Sequence, residues 1–277
     1  MKKATIIGVD LAKNVFQLHG AAADGAVVFR KKLTRLQFQR FMADHPACTV
    51  AMEACGSAHH WAREMAEIGH SPRLIAPKYV KPFVKRQKND SADAEAIVEA
   101  ALRPTMRFVE IKSLEDQARA VLFRTRAQLI RQRAEAANAL RAHLYEFGFV
   151  APLGIHQVKR LAEIIETEGD QLPAVVRLAC GELLTHIAEL TQRIAAVDKE
   201  VAVQSGEGET SRRLQTMPGV GPITALAVET FAPTMESFRS GRDFAAWLGL
   251  VPLQQSTGGK QVLGKTSRWA SATSGGC

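Results

Sequence analysis

Four carboxylates draw attention because each falls where an element should begin or end. Asp10 closes the apolar run in IGVDLAK, Glu53 closes another in VAMEACG, and Asp90 and Asp93 open the stretch NDSADA. If the two runs are strands of one sheet, their ends set Asp10 and Glu53 side by side. Adjacent carboxylates repel, and each raises the other's pKa unless a cation joins them. A hard, oxygen-seeking divalent ion, Mg²⁺ or Mn²⁺, removes that repulsion. Asp90 and Asp93 are three apart, so both face one side of the helix they open. The plain alternative makes Asp90 a helix cap, Asp10 a strand-end turn residue and Glu53 a solvated acid. Single acids at strand ends are common; the combination with a hairpin-rich sheet raises the metal reading, and on pattern alone both stay open.

Three other stretches have chemistry of their own. In Gln255-Ser256-Thr257-Gly258-Gly259-Lys260 a hydroxyl in a glycine-flanked loop is free to attack a phosphate, with Lys260 to stabilise developing charge. By composition alone the same stretch reads as a flexible loop. Residues 77–89 hold Lys78, Lys81, Lys85, Arg86 and Lys88 and no acid, a run suited to phosphates flanking the acids. Tyr79 and Phe83, interleaved with these cations, either stack on bases or pack inward. Met217-Pro218-Gly219-Val220-Gly221-Pro222 reads as a helix-hairpin-helix turn, in which Gly219 and Gly221 permit tight geometry and let backbone N–H groups meet a phosphate.

The elements that must position these groups fall into three zones. Over residues 1–112 the alternation predicts strands at 4–10, 15–22 and 26–33, with a hairpin turn at Asp24-Gly25. A helix capped by Thr34, a strand at 47–54, a helix at 58–68 and a strand at 72–76 follow, together a mixed α/β sheet. Residues 113–205 read as an arm of two long helices, 114–147 and about 171–203, the second folding back on the first. Its apolar stripe is Val175, Leu178, Leu183, Ile187, Leu190 and Ile194. The first helix carries Arg119, Arg124, Arg126, Arg131, Arg133 and Arg141 against the single acid Glu135 over 119–143. A solvated helix face normally mixes signs, so this bias points to an arm that tracks phosphates, Arg124 and Arg131 among its contacts. Gly206-Glu207-Gly208 reads as a linker into a small helical third zone, 206–277, with a Gly, Ser and Thr tail.

Composition agrees with nucleic acid as a partner. The 277 residues carry 36 Lys and Arg against 28 Asp and Glu, a net charge of +8. With 46% hydrophobic residues, wholesale disorder is excluded. No apolar run reaches transmembrane length, and the start MKKATIIGVD lacks a signal-peptide pattern, so a cytoplasmic protein is expected. None of the four cysteines forms a C-x-x-C pair, which suggests reduced thiols rather than a zinc site, with Cys48 and Cys55 in the core.

The motifs IGVDLAKNVFQ, VAMEACGSAHHWA and KNDSADAEAI, in this order, resemble the RuvC-like (ribonuclease-H-fold) domain of the DEDD-type insertion-sequence transposases. QTMPGVGPITALAVE, FAAWLGLVP and STGGK resemble the C-terminal transposase domain of the same family. The resemblance implies an acidic tetrad of Asp10, Glu53, Asp90 and Asp93 holding divalent metal beside the DNA phosphate being cut. It further implies a serine that joins covalently to DNA, here Ser256, or Thr257 if the alignment shifts by one. A structured bridge RNA is implied as guide, with RNA and dimer contacts on the arm and a homodimer or homotetramer as the working form. After about Lys265 the sequence VLGKTSRWASATSGGC leaves the family pattern, so a C-terminally truncated copy with an incomplete composite site is expected.

Overall fold

The computed structural model describes residues 3–84, 90–257 and 259–266. The chain forms two compact units, 1–115 and 116–274.

In the first unit the predicted strands form as β1 (Ile6–Asp10), β2 (Val15–Ala21), β3 (Val27–Thr34), β4 (Thr49–Glu53) and β5 (Ser71–Ile75). Thr34 caps α1 (Arg35–Asp44) through a capping box: its hydroxyl accepts from the Gln37 N–H, and the Gln37 side chain accepts from the Thr34 N–H at 2.9 Å. After β4 come α2 (Ala58–Glu67) and, after β5, the short α3 (Pro77–Val80), then α4 (Asp90–Ala101) and β6 (Phe108–Val109). α3 and β6 have no signature in the sequence, since four helical and two strand residues are too few to show a period.

The sheet order is β3-β2-β1-β4-β5-β6. β1 runs parallel to β4 and β4 to β5, whereas β2, β3 and β6 pair antiparallel with their neighbours. This is a ribonuclease-H-like mixed sheet followed by long helices. Pleating sends alternate side chains to opposite faces. Ile7 and Val9 enter one buried cluster with Phe16, Phe38 and Trp61, under α1 and α2. Those three rings meet edge to face with centroids 5.1–5.3 Å apart. Ile6, Ala51 and Ile75 enter the cluster on the other face, under α4.

The second unit begins within the 32-residue α5 (Leu114–Tyr145) and continues with α6 (Val158–Thr167) and the 34-residue α7 (Ala174–Glu207). Arg126 pairs with Asp198, and Arg133 donates to Thr191 at 3.4 Å. Ascending numbers on α5 meet descending numbers on α7, so the helices lie antiparallel, as expected. The stripe predicted for α7 needs correction at its start. Val175 and Leu178 are 71% and 67% exposed, and the buried positions begin at Cys180 and continue through Ile187, Leu190, Ile194 and Val201. The irregular five-residue step after Leu178 is where the stripe changes course.

The predicted linker at 206–208 is also corrected: α7 stays helical through Glu207, and Gly208 separates it from α8 (Glu209–Leu214). α9 (Pro222–Phe231) and α10 (Gly241–Trp247) follow. The chain then forms a two-stranded hairpin, β7 (Pro252–Thr257) with β8 (Lys260–Thr266), where a flexible loop and tail were expected. Cross-strand backbone bonding overrides the loop-like composition there.

Candidate functional site

The sheet register explains how the acids converge. Val9 of β1 lies opposite Met52 of β4 in a parallel pair, and each strand ends one residue later, at Asp10 and Glu53. Both acids therefore stand side by side at the carboxyl edge, on the face that α4 covers. α4 comes close because Gly8 has no side chain: a methyl group there would run into the Ala94 carbonyl and the Val98 side chain. That contact brings the first turn of α4, with half-buried Asp93, over the strand ends.

Burial first, and the Asp93 charge second, push the Glu53 carboxyl above the usual carboxylate range. Glu53 and Asp93 are thus close enough to repel. Asp90 is the first residue of α4, three before Asp93; its side chain lies outside the described residues. Among the described residues no three His, Cys, Asp or Glu side chains stand close enough together to hold an ion unaided. The acids that do converge offer only oxygen donors, the set preferred by Mg²⁺. Glu95, two residues beyond Asp93, is engaged elsewhere, with Arg30 at 2.9 Å.

This arrangement has a consequence for stability. Because the folded-state pKa of Glu53 is raised, the folded protein keeps a proton that the unfolded chain has already released in the window just above the ordinary Glu value. The associated stability is complete below that value and is lost as pH rises through the folded-state pKa. Glu53→Gln removes the repulsion. In metal-free buffer at pH 7 the variant is expected to melt roughly 1–3 °C above wild type. The gap should close toward about pH 4, where wild-type Glu53 is protonated. Thermal denaturation across that range is the check, and a variant that melts below wild type at pH 7 contradicts the repulsion.

The register also exposes residues that spacing alone did not single out. Asp10 lies opposite Gln17, and Gln17 opposite Lys32, so one row crosses the sheet from an exposed cation to the acid pair. The signal was available in the alternation of VFRKKLT, where Lys31 and Lys32 must take opposite faces.

The expected nucleic-acid contacts are placed unevenly. Lys78 and Lys81 are exposed on α3 and the turn after it, while Lys85, Arg86 and Lys88 lie outside the described residues. On α5, Arg124 and Arg131 are exposed, Arg131 bonding to Gln128. The one-signed stripe is otherwise a correction: four of its six arginines are tied to residues outside α5. Arg119 is buried against Glu229, Arg126 and Arg133 bridge to α7, and Arg141 donates to the Pro152 and Gly154 carbonyls. The balancing acids Asp198 and Glu229 are 72 and 110 residues away, beyond the reach of local charge counting.

In the glycine turn, Gly219 has φ +84°, a conformation that favours glycine, and Gly221 is the extended residue just before α9, with Pro222 at the first helical position. Ser256 stands on β7 opposite Gln261, and Thr257 opposite exposed Lys260. The side chains of Ser256 and Thr257 lie outside the described residues. Cys48 is buried, which pushes its thiol up to about 11, whereas Cys55 is only half-buried. No described helix is long and apolar enough to cross a membrane.

A ribonuclease-H-like sheet with acids at its carboxyl edge, followed by long helices, is the architecture of this chain, and the family it matches makes it a DNA-processing transposase. Comparison makes this specific. Residues 7–149 match the DEDD transposase family model of the IS110 type, and residues 211–273 match that of the "Transposase IS116/IS110/IS902 family", a match that continues past Lys265. The chain is 47% identical to a "Probable family 20 transposase" of Pseudomonas aeruginosa, over 95% of this chain and 78% of that protein. It is 43% identical to the "Transposase for insertion sequence element IS1328" of Yersinia enterocolitica, over 95% and 78%. A transposase of Coxiella burnetii, for the element IS1111A, is 37% identical over 95% and 72%. The chain belongs to the IS110/IS116 family of insertion-sequence transposases, and DNA is its partner.

Proposed function

We propose that this protein cuts and rejoins DNA by a metal-dependent reaction in which Asp10, Glu53, Asp90 and Asp93 hold Mg²⁺ or Mn²⁺ and Ser256 is the nucleophile. The reading is supported by Asp10 and Glu53 ending adjacent parallel strands, with the Asp93 charge near enough to Glu53 for the two to repel. Such a cost is commonly retained at functional sites. The match to DEDD transposases supports dependence on a divalent metal. A bound divalent ion polarises a phosphoryl oxygen and stabilises the leaving oxygen. In this reading the protein's own part is to bring four carboxylates, from two strand ends and one helix turn, onto the ion.

Ser256 Oγ forms a bond to phosphorus while the bond from phosphorus to one deoxyribose oxygen breaks, and the serine proton ends on that oxygen. Attack by another strand's hydroxyl reverses the step and rejoins DNA without an outside energy source. Lys260 stabilises charge on the phosphate. Lys78, Lys81, Lys85, Arg86, Lys88, Arg124, Arg131, Gly219 and Gly221 bind flanking backbone. In this reading residues 1–112 are the nuclease domain, 113–205 the arm and 206–277 the serine-bearing domain. The protein works in the bacterial cytoplasm as a homodimer or homotetramer, guided by a structured RNA.

One observation favours a second reading: the first unit alone contains all four acids, so water could serve as nucleophile, as in a Holliday-junction-type nuclease. Denaturing electrophoresis of labelled element-end DNA incubated with the protein and Mg²⁺ separates the two. The serine mechanism is expected to give a covalent protein–DNA band, lost in Ser256→Ala. Cleavage with no such band favours water. A band that survives both Ser256→Ala and Thr257→Ala overturns the nucleophile.

A further inference from the structure

We propose that a groove between α3 and the segment after α4 takes one unpaired nucleotide of a nucleic-acid strand, its base on the aromatic wall of Tyr79 and Phe83 and its phosphate on Arg107. The groove is open, about 420 Å³, and lined by Tyr79, Phe83, Arg103, Thr105, Met106 and Arg107. Its construction follows from local packing. Val80 is buried in the cluster with Ala96, Ile97 and Ala100, and Phe83 packs partly against it. With its inner side anchored, α3 turns Tyr79 outward, 40% exposed. The opposite wall follows α4. There the Arg103 guanidinium sits 5.6 Å from the centre of the Phe83 ring, held by Glu99 at 2.8 Å. Lys78 Nζ lies 4.7 Å from the centre of the Tyr79 ring. Arg107 is exposed and makes no ion pair with the other described residues.

The position of the groove links it to the acids. Glu53 lies opposite Ile75, and Ile75 opposite Phe108. α3 begins two residues after Ile75, and Arg107 immediately precedes Phe108, so both leave the sheet at the edge where β4 presents Glu53. A strand engaged at the acids can therefore reach the groove along one edge, where ligands of such sheets usually bind.

The lining selects the chemistry. An apolar ligand would leave the cations unused, and a free phosphate would leave the rings unused. A nucleotide uses both, because any base has a face to stack and arginine adds cation–π attraction. In a duplex the base faces are hidden, so the nucleotide must be unpaired. This inference rests on the nucleic-acid reading above, but on neither the metal nor the serine.

The test uses the full chain in EDTA, so that no cleavage occurs. Fluorescent strands of about twelve nucleotides are titrated across salt: oligothymidylate, oligouridylate, and an abasic strand of equal length. Wild type is expected to bind the base-bearing strands at least about fivefold tighter than the abasic one. Tyr79→Ala, at an exposed position, should melt like wild type, erase that preference and keep the salt slope; Tyr79→Phe should retain it. Arg107→Ala should weaken all three strands and lower the salt slope by about one. Whichever base-bearing strand binds tighter identifies DNA or RNA as the source, and either result supports the groove. A base preference that survives Tyr79→Ala overturns the groove and leaves the wider reading standing. Binding with flat salt dependence, or none, overturns both.

Discussion

Asp10→Asn and Glu53→Gln are each expected to slow metal-dependent DNA cleavage by at least about 10³-fold while leaving DNA binding within about threefold of wild type. A metal-held phosphoryl group gains several kcal/mol of transition-state stabilisation, and each 1.4 kcal/mol is tenfold in rate. Both substitutions keep side-chain size and an oxygen donor but remove the charge that attracts the ion. The fold should survive: neither acid belongs to a hydrophobic cluster, and Glu53→Gln removes a repulsion. Glu95→Gln is the matched control. This acid shares α4 with Asp93 but pairs with Arg30, so its loss should leave cleavage within about tenfold. Single-turnover cleavage of labelled DNA gives the rates. Equal losses in all three variants would mean that negative charge on this surface, not metal binding, is what matters.

The largest effect on stability is expected in the second unit, at Glu229. Its carboxylate receives Arg119 of α5 at 3.0 Å, the Ser211 N–H of α8 at 2.9 Å and the Ser211 hydroxyl, so one acid ties three helices together. The Arg119 and Glu229 side chains are only 10% and 17% exposed. Removing one member of a buried pair strands the other charge. Glu229→Ala is expected to cost about 3 kcal/mol, with Asp116, 3.8 Å from Arg119, as the remaining carboxylate. That corresponds to a Tm lower by roughly 6–12 °C. Arg160→Ala, which breaks the exposed pair with Glu163, should change stability by less than about 0.5 kcal/mol. Calorimetry on both variants is the check, and similar small losses would remove Glu229 from its central place.

Much of this architecture was legible in the residues themselves. The strands that carry Asp10 and Glu53 are short β-branched runs, Thr34 and Gln37 form a capping box at their sequence spacing, and the long helices lack internal proline. What was hidden depends on partners far along the chain. The arginines of α5 look like a free basic stripe until Asp198 and Glu229 arrive from other helices. β6 and α3 are too short to carry a period, yet α3 carries Tyr79 into the groove and β6 follows directly on Arg107. The loop-like composition around Ser256 conceals a β-hairpin, because PLQQST has few of the β-branched and aromatic residues that mark the other strands. The acids were legible one by one. The adjacency of Asp10 and Glu53 depends on the register between β1 and β4, and the nearness of Asp93 to Glu53 on a helix that sits close only because residue 8 is glycine.

Metal binding is the central claim, and manganese electron paramagnetic resonance tests it without any need for the correct DNA. Titration of Mn²⁺ into the full chain should show ions immobilised on wild type and lost from both Asp10→Asn and Glu53→Gln, with Glu95→Gln unchanged. If the Asp10 and Glu53 variants hold Mn²⁺ as tightly as wild type, the carboxyl edge of this sheet is not the metal site.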